Sequence, residues 1–453
     1  MMIECYCLRS YDIAQEIRVE RPMNRSRILK LLCLGTACVS LGLSAQQSLP
    51  LLPAPSEPRP NFGRVVDKPE GALPKAPAGF TVELYADNLP NARMMEFSPN
   101  GDLFVSQPSQ NMVTILRDTN KDGLPDARFT FAQGPPPAAG RGAGAPGGAA
   151  PGGPGGGGRG AAPNPNTAEM LQPFGLAFHD GYLYVGNTNS IVRYKYTPGD
   201  SKASGPAEKL RDLNGGGNHF TRNILFSRDG KKMYVSVGSS NNIDDTGTGN
   251  ERRAMIHEYN PDGTGLRVYA SGLRNPVGLA WQPGTNTLWT CVNERDNLGD
   301  DLPPEYATSV KDGGFYGWPY SYIGSHIDTR VPQREPELVK RAIVPDILIP
   351  AHSAPLGLTF YTGTQFPQRY RNGLLVALHG SWNRSTTNGA KVIFVPFQNG
   401  KPGGIEDFLT GFVVDPNANS KWGRPVGVTV APDGSLLVSD DGGNRIWRIR
   451  YTG

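Results

Sequence analysis

Histidine and arginine side chains stand directly before several apolar, strand-like runs of this sequence. His219 comes shortly after three consecutive glycines at 215–217. Arg274 and Asn275 precede the run PVGLAW, and Arg424 precedes PVGVTV. An imidazole titrates near neutrality and can accept a proton, and a guanidinium offers five donors to planar, oxygen-rich partners. The pattern predicts a site that combines a general base with cationic binding groups; a solvated loop histidine is the alternative for His219.

Acidic and amide side chains are concentrated in the segment CVNERDNLGDDLPPEY. Glu294, Asp296 and Asn297 stand close together, and further carboxylates follow up to Glu305. Carboxylate and amide oxygens are ligands that Ca²⁺ prefers, so the composition predicts a calcium site, with a solvated acidic loop as the alternative. The run DTNKDGLPD at 118–126 begins like a calcium loop but lacks the final bidentate glutamate, which favours a hairpin turn.

The elements that must position these residues follow a repeat: an apolar strand, a turn with Asp, Asn or Gly, and a second apolar strand. Apolar and polar residues alternate on both sides of each turn, which is typical of a β-hairpin. The six copies begin at Met94, Phe174, Asn223, Val277, Leu356 and Val426. Their spacing leaves room for two more strands each. The sequence therefore predicts an all-β, six-bladed β-propeller, with a pair of β-sandwiches as the alternative.

This architecture would bring the chemically useful side chains together. In a propeller, the loops that lead into the first strand of each blade meet at one mouth of the central channel, and loops carry most functional residues. His219, Arg274 and Arg424 precede the first strands of three different copies. We therefore expect them to converge at that mouth.

The chain is expected to divide into three parts with one insertion. Residues 1–45 are interpreted as an upstream extension and a signal peptide, because a basic segment precedes an apolar run too short to span a bilayer, with cleavage after Ala45. Residues 46–76 form a Pro-rich leader and residues 77–453 the propeller. The Gly/Pro/Ala-rich stretch 134–166 cannot bury enough apolar surface to fold and is predicted to be a disordered insertion.

Composition limits the classes of function. The 453 residues include 57 Gly and 41 Pro, and the formal net charge is +4. This small charge, without a Lys/Arg block, argues against nucleic acid as a partner, and no integral membrane span is predicted. Beyond the signal segment, Cys291 is the one cysteine in the sequence, so we expect no internal disulfide and a buried apolar role for its thiol. The signal segment predicts a periplasmic or secreted protein.

Four stretches of the sequence together resemble a known family. They are GLRNPVGLAW, NERDNLGDDLPPEYATSVKDGGFYGWPYSYIG, APLGLTFY and HGSWNR. The sequence is similar to the soluble pyrroloquinoline-quinone (PQQ)-dependent glucose/sorbosone dehydrogenases, particularly the sorbosone dehydrogenase branch. The resemblance covers most of residues 77–451. The long acidic and aromatic motif is its specific part, since the hairpin phrases alone fit many propellers.

The resemblance implies a dehydrogenase that oxidises a sugar or a sugar-derived aldehyde or alcohol, with PQQ and Ca²⁺ at the channel mouth. His219 would be the general base, and Arg274 would stabilise charge at the cofactor. The family has a second cofactor-binding arginine at the position of Val426. Arg384 or Lys391 could take over the role of that arginine here. The implied cofactor-binding residues are Gln172, Arg274, Asn275, Arg384, Lys391 and Arg424, and the implied metal-binding residues are Glu294, Asp296 and Asn297.

The expected partners are a small sugar or aldehyde and a separate electron acceptor, a cytochrome or a quinone, because the sequence has no C-x-x-C-H haem motif. The alternative function is that of a non-redox propeller, either a binding module or a calcium-dependent lactone hydrolase. A lactone hydrolase would need several acidic side chains around one metal, whereas a dehydrogenase needs a base and arginines around a planar cofactor.

Overall fold

The computed structural model describes residues 48–136 and 170–453. The predicted signal segment and most of the predicted insertion therefore lie outside the described residues. Within these ranges the chain is almost entirely strand and turn, which confirms the all-β prediction. Helical structure there is limited to one short α-helix and two 3-10 segments: Pro336–Val339, Pro108–Gln110 and Gln368–Tyr370. None of the helices in the described ranges is long and apolar enough to cross a membrane.

Six antiparallel sheets of four or five strands dominate the described ranges. We number them by the chain order of their first strands. The strands of sheets 1 to 3 are Met95–Phe97, Leu103–Gln107, Met112–Arg117 and Ala127–Gln133; Leu176–His179, Tyr182–Asn187, Ser190–Lys195 and Glu208–Asp212; and Ile224–Phe226, Met233–Val237, Met255–Tyr259 and Arg267–Ser271, with Gly314–Phe315 added in parallel. The strands of sheets 4 to 6 are Pro276–Trp281, Leu288–Val292, Glu305–Val310 and Ile347–Ile349; Pro355–Phe360, Leu374–Leu378, Lys391–Val395 and Glu406–Leu409; and Pro425–Val430, Leu436–Asp440, Arg445–Tyr451 and Phe80–Ala86.

Sheet 6 joins the two ends of the described chain. Its outer strand, Phe80–Ala86, pairs antiparallel with Arg445–Tyr451, with Phe80 opposite Tyr451. The first strand of each sheet packs against the first strand of the next sheet, and the first strand of sheet 6 packs against that of sheet 1. Each predicted hairpin phrase supplies the first two strands of one sheet.

An apolar cluster lies where the first strands meet. Each of the six sheets contributes one residue, either from its first strand or from the loop just before it. The members are Met94, Phe174, Phe220, Val277, Leu356 and Val426. Burying side chains of this size stabilises a fold by about 1.5–3 kcal/mol each. This cluster fixes the sheets to one another directly below the loops that carry the candidate site.

Neighbouring sheets pack through the side chains that alternate along their strands. Cys291 lies on the second strand of sheet 4 and is fully buried against residues of sheet 5. Its thiol donates a hydrogen bond to the carbonyl of Leu356. Burial raises the pKa of this thiol to about 12. The predicted buried, apolar role of Cys291 is confirmed.

The leader runs along the loops of sheets 4 to 6. Its strand Arg64–Val65 pairs in parallel with Ser420–Lys421, which pairs with Val413–Asp415. Two small hairpins complete the strand inventory: Ser321–Tyr322 with His326–Ile327, and Phe397–Gln398 with Lys401–Pro402.

Candidate active site

A cavity of about 570 Å³ opens beside the central apolar cluster. Phe220 and Leu356 belong to both the cluster and the cavity wall. The rest of the wall comes mostly from loops that lead into, or follow, the first two strands of the sheets. Seven of the predicted site residues line it: His219, Arg274, Asn275, Glu294, Asp296, Asn297 and Arg424. His219, Arg274, Asn275 and Arg424 stand just before first strands, where the sequence analysis expected a shared site. The three acidic and amide residues instead follow the second strand of sheet 4.

His219 is held in one tautomer. Its Nδ1 lies 2.8 Å from the carbonyl oxygen of Ser239 and 3.1 Å from the Ser239 hydroxyl. That hydroxyl donates to the carbonyl of Asn241 at 2.7 Å, so it accepts from the imidazole. Nδ1 therefore carries the hydrogen. The other ring nitrogen, Nε2, has no hydrogen-bond partner within 48–136 and 170–453.

The surroundings of His219 keep its ring neutral. Burial lowers the pKa of the imidazole well below its ordinary value, and the guanidinium groups of Arg274, Arg253 and Arg222 lower it further. The hydrogen bond to Ser239 works in the opposite direction but does not outweigh them. At neutral pH, Nε2 therefore presents a free lone pair to the cavity. This is the state that a general base needs.

Arg274 is buried behind His219 and is bonded to the loops around it. Its guanidinium donates to the carbonyl and side-chain oxygens of Asn242 at 3.1 and 2.9 Å and to the carbonyl of Glu294 at 2.7 Å. The nearest carboxylate oxygen, on Asp296, lies 3.7 Å away. Arg274 thus places a fixed positive charge in the wall, with most of its donors committed to the protein.

Asn275 presents an unpaired acceptor. Its side-chain nitrogen donates to Asn293 at 3.1 Å, but its buried Oδ1 has no partner in the described part of the chain. Gly238 packs against this amide: a Cβ at position 238 would lie 2.1 Å from the Asn275 oxygen and 2.7 Å from the Cβ of His219. The absence of a side chain at Gly238 is therefore a condition for this arrangement.

Arg424 is a cation of the cavity wall with free terminal donors. Its Nε donates to the carbonyl of His379 at 3.3 Å, and its terminal nitrogens have no hydrogen-bond or ion-pair partner among the described residues. Arg93 and His379 line the same wall and both bind Asp441, each at 2.7 Å. Burial, followed by the charge of Arg424, lowers the pKa of His379 to about 3, so this imidazole is neutral.

The opposite side of the cavity is acidic. Burial raises the pKa of Glu294 to about 7, against the opposing charge of Arg274, and raises that of Glu305 well above its ordinary value. Asp296 lies 3.4 Å from Nδ1 of His352. One oxygen of Glu294 is buried without a partner in the described ranges. A cation would therefore be stabilised on this side.

The backbone carbonyls of the three implied metal-binding residues are already hydrogen-bonded. Arg274 donates to the carbonyl of Glu294, Asn242 and Arg295 donate to that of Asp296, and Arg330 donates to that of Asn297. Among the described residues, no three His, Cys, Asp or Glu side chains come together closely enough to hold a metal by themselves. The carboxylates of Glu294, Asp296 and Glu305 also line the cavity, and they are better placed than these carbonyls to bind a cation.

Three predicted cofactor-binding residues do not line the cavity. Arg384 donates to the carbonyl of Asp300 and pairs with Asp301 at 2.8 Å. Lys391 begins the third strand of sheet 5 and pairs with Asp407 on the fourth strand at 2.6 Å. The structure thus places both proposed replacement cations in ion pairs away from the cavity wall.

Gln172 is the third predicted cofactor-binding residue outside the cavity wall, and it lies shortly after the predicted insertion. Its backbone nitrogen donates to Asn111 at 2.8 Å, and the residue is absent from the cavity wall. Val426, where a second arginine was expected, belongs to the central apolar cluster. The buried cation beside Arg424 is instead Lys421, whose pKa is lowered to about 7 by burial and by Arg424.

Five residues in or beside the cavity wall were not predicted from the sequence: Arg93, His352, His379, Lys421 and Trp382. Arg93 and His352 stand just before the first strands of sheets 1 and 5. They could have been predicted in the same way as His219, from their position before a first strand. His379 and Trp382 lie in the quoted stretch HGSWNR. Lys421 follows no such pattern.

The leader supports one wall of the cavity. The ring of Phe62 stacks on that of Trp382, with centroids 5.7 Å apart and planes 14° from parallel. The backbone of Asn61 donates to the Trp382 carbonyl at 2.7 Å, and that of Ser56 donates to the Leu298 carbonyl at 3.0 Å. Residues of the predicted leader therefore belong to the structure that shapes the site.

A family model described as TrAA12-like matches residues 165–310 and 333–452, more than half of the chain. The chain belongs to the TrAA12-like family. The matched ranges contain His219, Arg274, Asn275, Arg424 and the acidic side of the cavity.

Relatives of this TrAA12-like chain include a PQQ-dependent pyranose dehydrogenase of Coprinopsis cinerea, which is 29% identical over 297 residues. That match covers 51% of this chain and 39% of the fungal protein, so the chain spans well under half of that relative. The proteins similar to this chain thus include a sugar dehydrogenase.

Solved structures show the same fold. The holo PQQ domain of the Coprinopsis cinerea pyranose dehydrogenase is 22% identical, with a TM-score of 0.65, and the match covers 88% of this chain and all of that one. A calcium structure of a Trichoderma reesei enzyme of carbohydrate-active family AA12 is 19% identical, with a TM-score of 0.66, and covers 89% and 99% of the two chains. At these identities the likeness concerns the fold alone.

Proposed function

We propose that this TrAA12-like chain is a PQQ-dependent dehydrogenase that oxidises a sugar, or an aldehyde or alcohol derived from a sugar, with His219 as general base. One observation carries the proposal: the neutral imidazole of His219 and the guanidinium of Arg424 face the same cavity, and within the described ranges neither Nε2 of His219 nor the terminal nitrogens of Arg424 have a partner. The base and a binding group for an anionic ligand thus share one space. The quoted resemblance to sorbosone dehydrogenases supports a sugar-derived aldehyde as one substrate class.

We further propose that the six sheets are the blades of a β-propeller. Three features support this: each sheet contains a four-stranded antiparallel unit, first strands pack in succession from sheet 1 to sheet 6 and back to sheet 1, and strand Phe80–Ala86 joins the last sheet. Combining strands from both ends of the chain in one blade stabilises a ring, because it removes a free seam.

The residues of the cavity fit PQQ, a planar cofactor with several carboxylates. Arg424 has terminal donors free for a carboxylate, and Asn275 and Arg274 add a polar amide and a fixed positive charge. Arg93 lines the same wall. When bound, PQQ supplies the acceptor for a hydride, which the side chains of this chain cannot provide.

His219 would remove the hydroxyl proton of the substrate. Oxidation of a CH–OH group to a carbonyl releases one hydride and one proton, and Nε2 is the free base that can receive that proton. The Nδ1–H bond to Ser239 fixes the ring plane while Nε2 changes its protonation state. The buried charge of Arg274 would stabilise negative charge that develops nearby.

Calcium is proposed on the acidic side of the cavity. Glu294 and Glu305 would hold it through their carboxylates, because one oxygen of Glu294 is buried without a partner in the described ranges. Ca²⁺ takes six to eight oxygen ligands, so amide oxygens and water would complete its shell. Burial raises the pKa of both glutamates. The positive charge of a bound Ca²⁺ would stabilise their ionised forms and so lower the pKa again.

Export to the periplasm and electron transfer to a separate cytochrome or quinone complete the proposal. The basic and apolar segment before Ala45 supports export. An external acceptor is proposed because the reduced cofactor must pass its electrons on before the next turnover. The lactone-hydrolase alternative requires several acidic side chains around one metal, and no such three-residue cluster occurs within the described ranges. The binding-module alternative is tested by the reconstitution below.

Reconstitution tests the proposal. Purified protein is loaded with PQQ and Ca²⁺, thermal unfolding is followed, and a panel of aldoses and sugar-derived aldehydes is screened with a dye acceptor. We expect a higher melting temperature with both ligands, because a ligand that binds the folded state stabilises it, and dye reduction with at least one sugar. No thermal shift at saturating PQQ, together with no dye reduction, would refute the proposal.

A further inference from the structure

We propose that Arg253 positions His219. The triple-glycine loop before His219, residues 215–217, encloses the guanidinium of Arg253 and so makes this positioning possible. This inference rests on the proposed role of His219 as a base and adds the group that sets its direction and its charge state. Arg253 lies in the loop before the third strand of sheet 3 and is not among the residues of the cavity wall.

The donors of Arg253 all go to main-chain carbonyls. Its Nε donates to Gly238 at 2.7 Å, and one terminal nitrogen donates to Gly216 at 2.6 Å and to Asn214 at 3.2 Å. The other terminal nitrogen donates to His219 at 2.8 Å and to Ser239 at 2.9 Å.

The second terminal nitrogen is the decisive one. It joins the carbonyl of His219 itself to the carbonyl of Ser239, and the latter also accepts the bond from Nδ1 of the imidazole. A single planar group therefore fixes the backbone of the base and the acceptor that orients its ring. An arginine fork is suited to this because its donors are rigidly arranged, whereas the ammonium group of lysine cannot span the same set.

The glycines allow the loop to close around the guanidinium. Gly216 and Gly217 have φ values of +81° and +70°, which are left-handed conformations that side chains disfavour. A Cβ on Gly217 would lie 2.3 Å from the carbonyl oxygen of Ser240. The loop can thus turn its Gly216 carbonyl onto Arg253 only with residues that lack a side chain.

Arg253 carries a buried charge without an acidic partner. Its side chain is 3% exposed, and it forms no ion pair among the described residues. Burial lowers its pKa to about 10, which leaves it charged at neutral pH. Arg222 shares this environment: it is fully buried and donates to the carbonyls of His219 and Asn214 at 2.9 Å. Such buried cations are costly and persist where hydrogen bonds replace water.

These cations act on the imidazole through space. The charged groups that lower the pKa of His219 are Arg274 from sheet 4 and Arg253 and Arg222 from sheet 3. The other titratable groups of the cavity wall are Arg93, Asp245, Glu294, Asp296, Glu305, His352, His379 and Arg424. Arg253 differs from Arg274 because it touches the His219 backbone directly while lying outside the wall, so its effect can be separated from ligand binding.

Two substitutions separate geometry from charge. Arg253→Lys keeps the positive charge but loses the planar set of guanidinium donors. Arg253→Gln loses both. Arg252→Gln, at the exposed neighbouring position, is the matched control. The imidazole pKa is measured by NMR in cofactor-free protein, with the His219 signal assigned through its loss in His219→Gln. Turnover is measured separately on enzyme loaded with PQQ.

We expect the imidazole pKa of His219 to rise in Arg253→Gln and to stay near the wild-type value in Arg253→Lys and Arg252→Gln. Turnover should fall roughly 10- to 100-fold in both Arg253 variants, because a displaced base loses alignment. The acid limb of the pH profile should move to higher pH in Arg253→Gln alone.

An unchanged imidazole pKa in folded Arg253→Gln, or wild-type turnover in Arg253→Lys, would overturn the inference. Should Arg253→Gln fail to fold, the turnover of Arg253→Lys decides. A wild-type enzyme without any PQQ-dependent activity would refute the proposed function instead, while the NMR measurement would still decide whether Arg253 controls the imidazole.

Discussion

The Nδ1 of His219 and the carbonyl oxygen of Ser239 lie 2.8 Å apart, and this single contact determines which nitrogen of the imidazole is basic. A carbonyl only accepts hydrogen bonds, so Nδ1 must donate and Nε2 keeps its lone pair. The Ser239 carbonyl also accepts from Arg253 at 2.9 Å. The proton-accepting atom of the proposed site is thus set by backbone groups of sheet 3, outside the cavity wall.

Gly238→Ala should damage the site more than the fold. The added methyl group would lie 2.1 Å from the Asn275 oxygen and 2.7 Å from the His219 Cβ, so both side chains must shift. Overpacking of this kind costs about 1–3 kcal/mol. We expect turnover of the PQQ-loaded enzyme to fall at least about tenfold, with a modest loss of melting temperature. Gly404→Ala is the control, because nothing lies within 4 Å of its added Cβ; equal activity of the two variants would contradict the packing argument.

The hairpins could be predicted because their signal is local. Alternating apolar residues around a short turn define two strands within about a dozen residues, whatever the rest of the chain does. Copies predicted to begin at Met94 and Val277 correspond to strands that begin at Met95 and Pro276. Residues that precede successive first strands converge at one cavity, so His219, Arg274 and Arg424 could be predicted to lie together.

Glu96 should make the stability of the protein depend on pH. It lies on the first strand of sheet 1, half-buried, without a hydrogen bond or ion pair in the described ranges. Burial raises its pKa from 4.5 to about 8. Between these values the unfolded chain is ionised at this position and the folded chain is not, so the contribution of Glu96 to stability falls as pH rises from 4.5 to 8.

The Glu96→Gln variant removes that loss. Its melting temperature should match that of the wild type near pH 4.5 and exceed it increasingly up to about pH 8. Glu70→Gln, at an exposed position, should follow the wild type throughout. Thermal unfolding measures these melting temperatures. If the melting temperatures of Glu96→Gln and wild type differ by the same amount across this pH range, the Glu96 carboxyl does not have the raised pKa described above.

The insertion should be dispensable, because one residue ties its two flanks together. Asn111 donates to the carbonyl of Pro135 at 2.8 Å and accepts from the backbone of Gln172 at 2.8 Å. Replacing residues 137–166 of the predicted insertion with a two-residue glycine linker should leave the melting temperature within a few degrees of wild type. Asn111→Ala in the full chain should destabilise by about 1–3 kcal/mol, because buried donors and acceptors lose their partners. A collapse of soluble yield after the deletion alone would contradict this account.

Long-range polar contacts could not be predicted from residue type. Arg384 and Lys391 were plausible binding cations, but each pairs with a carboxylate, Asp301 or Asp407. Arg253 binds carbonyl groups, which every residue possesses, so its partners leave no trace in the sequence. The spacing of glycines marked the loop before His219 without revealing that the loop encloses a guanidinium.

The decisive measurement for the role of His219 is the turnover of the His219→Gln enzyme loaded with PQQ and Ca²⁺. Glutamine keeps a donor for the Ser239 carbonyl but has no basic nitrogen, so PQQ affinity and melting temperature should stay near wild type. Turnover with the best sugar should fall by about 10²–10⁴, the range of a positioned general base. His326→Gln, at a histidine of the small hairpin outside the cavity wall, should retain full activity. Near-wild-type turnover in a His219→Gln enzyme with normal PQQ affinity would contradict the account.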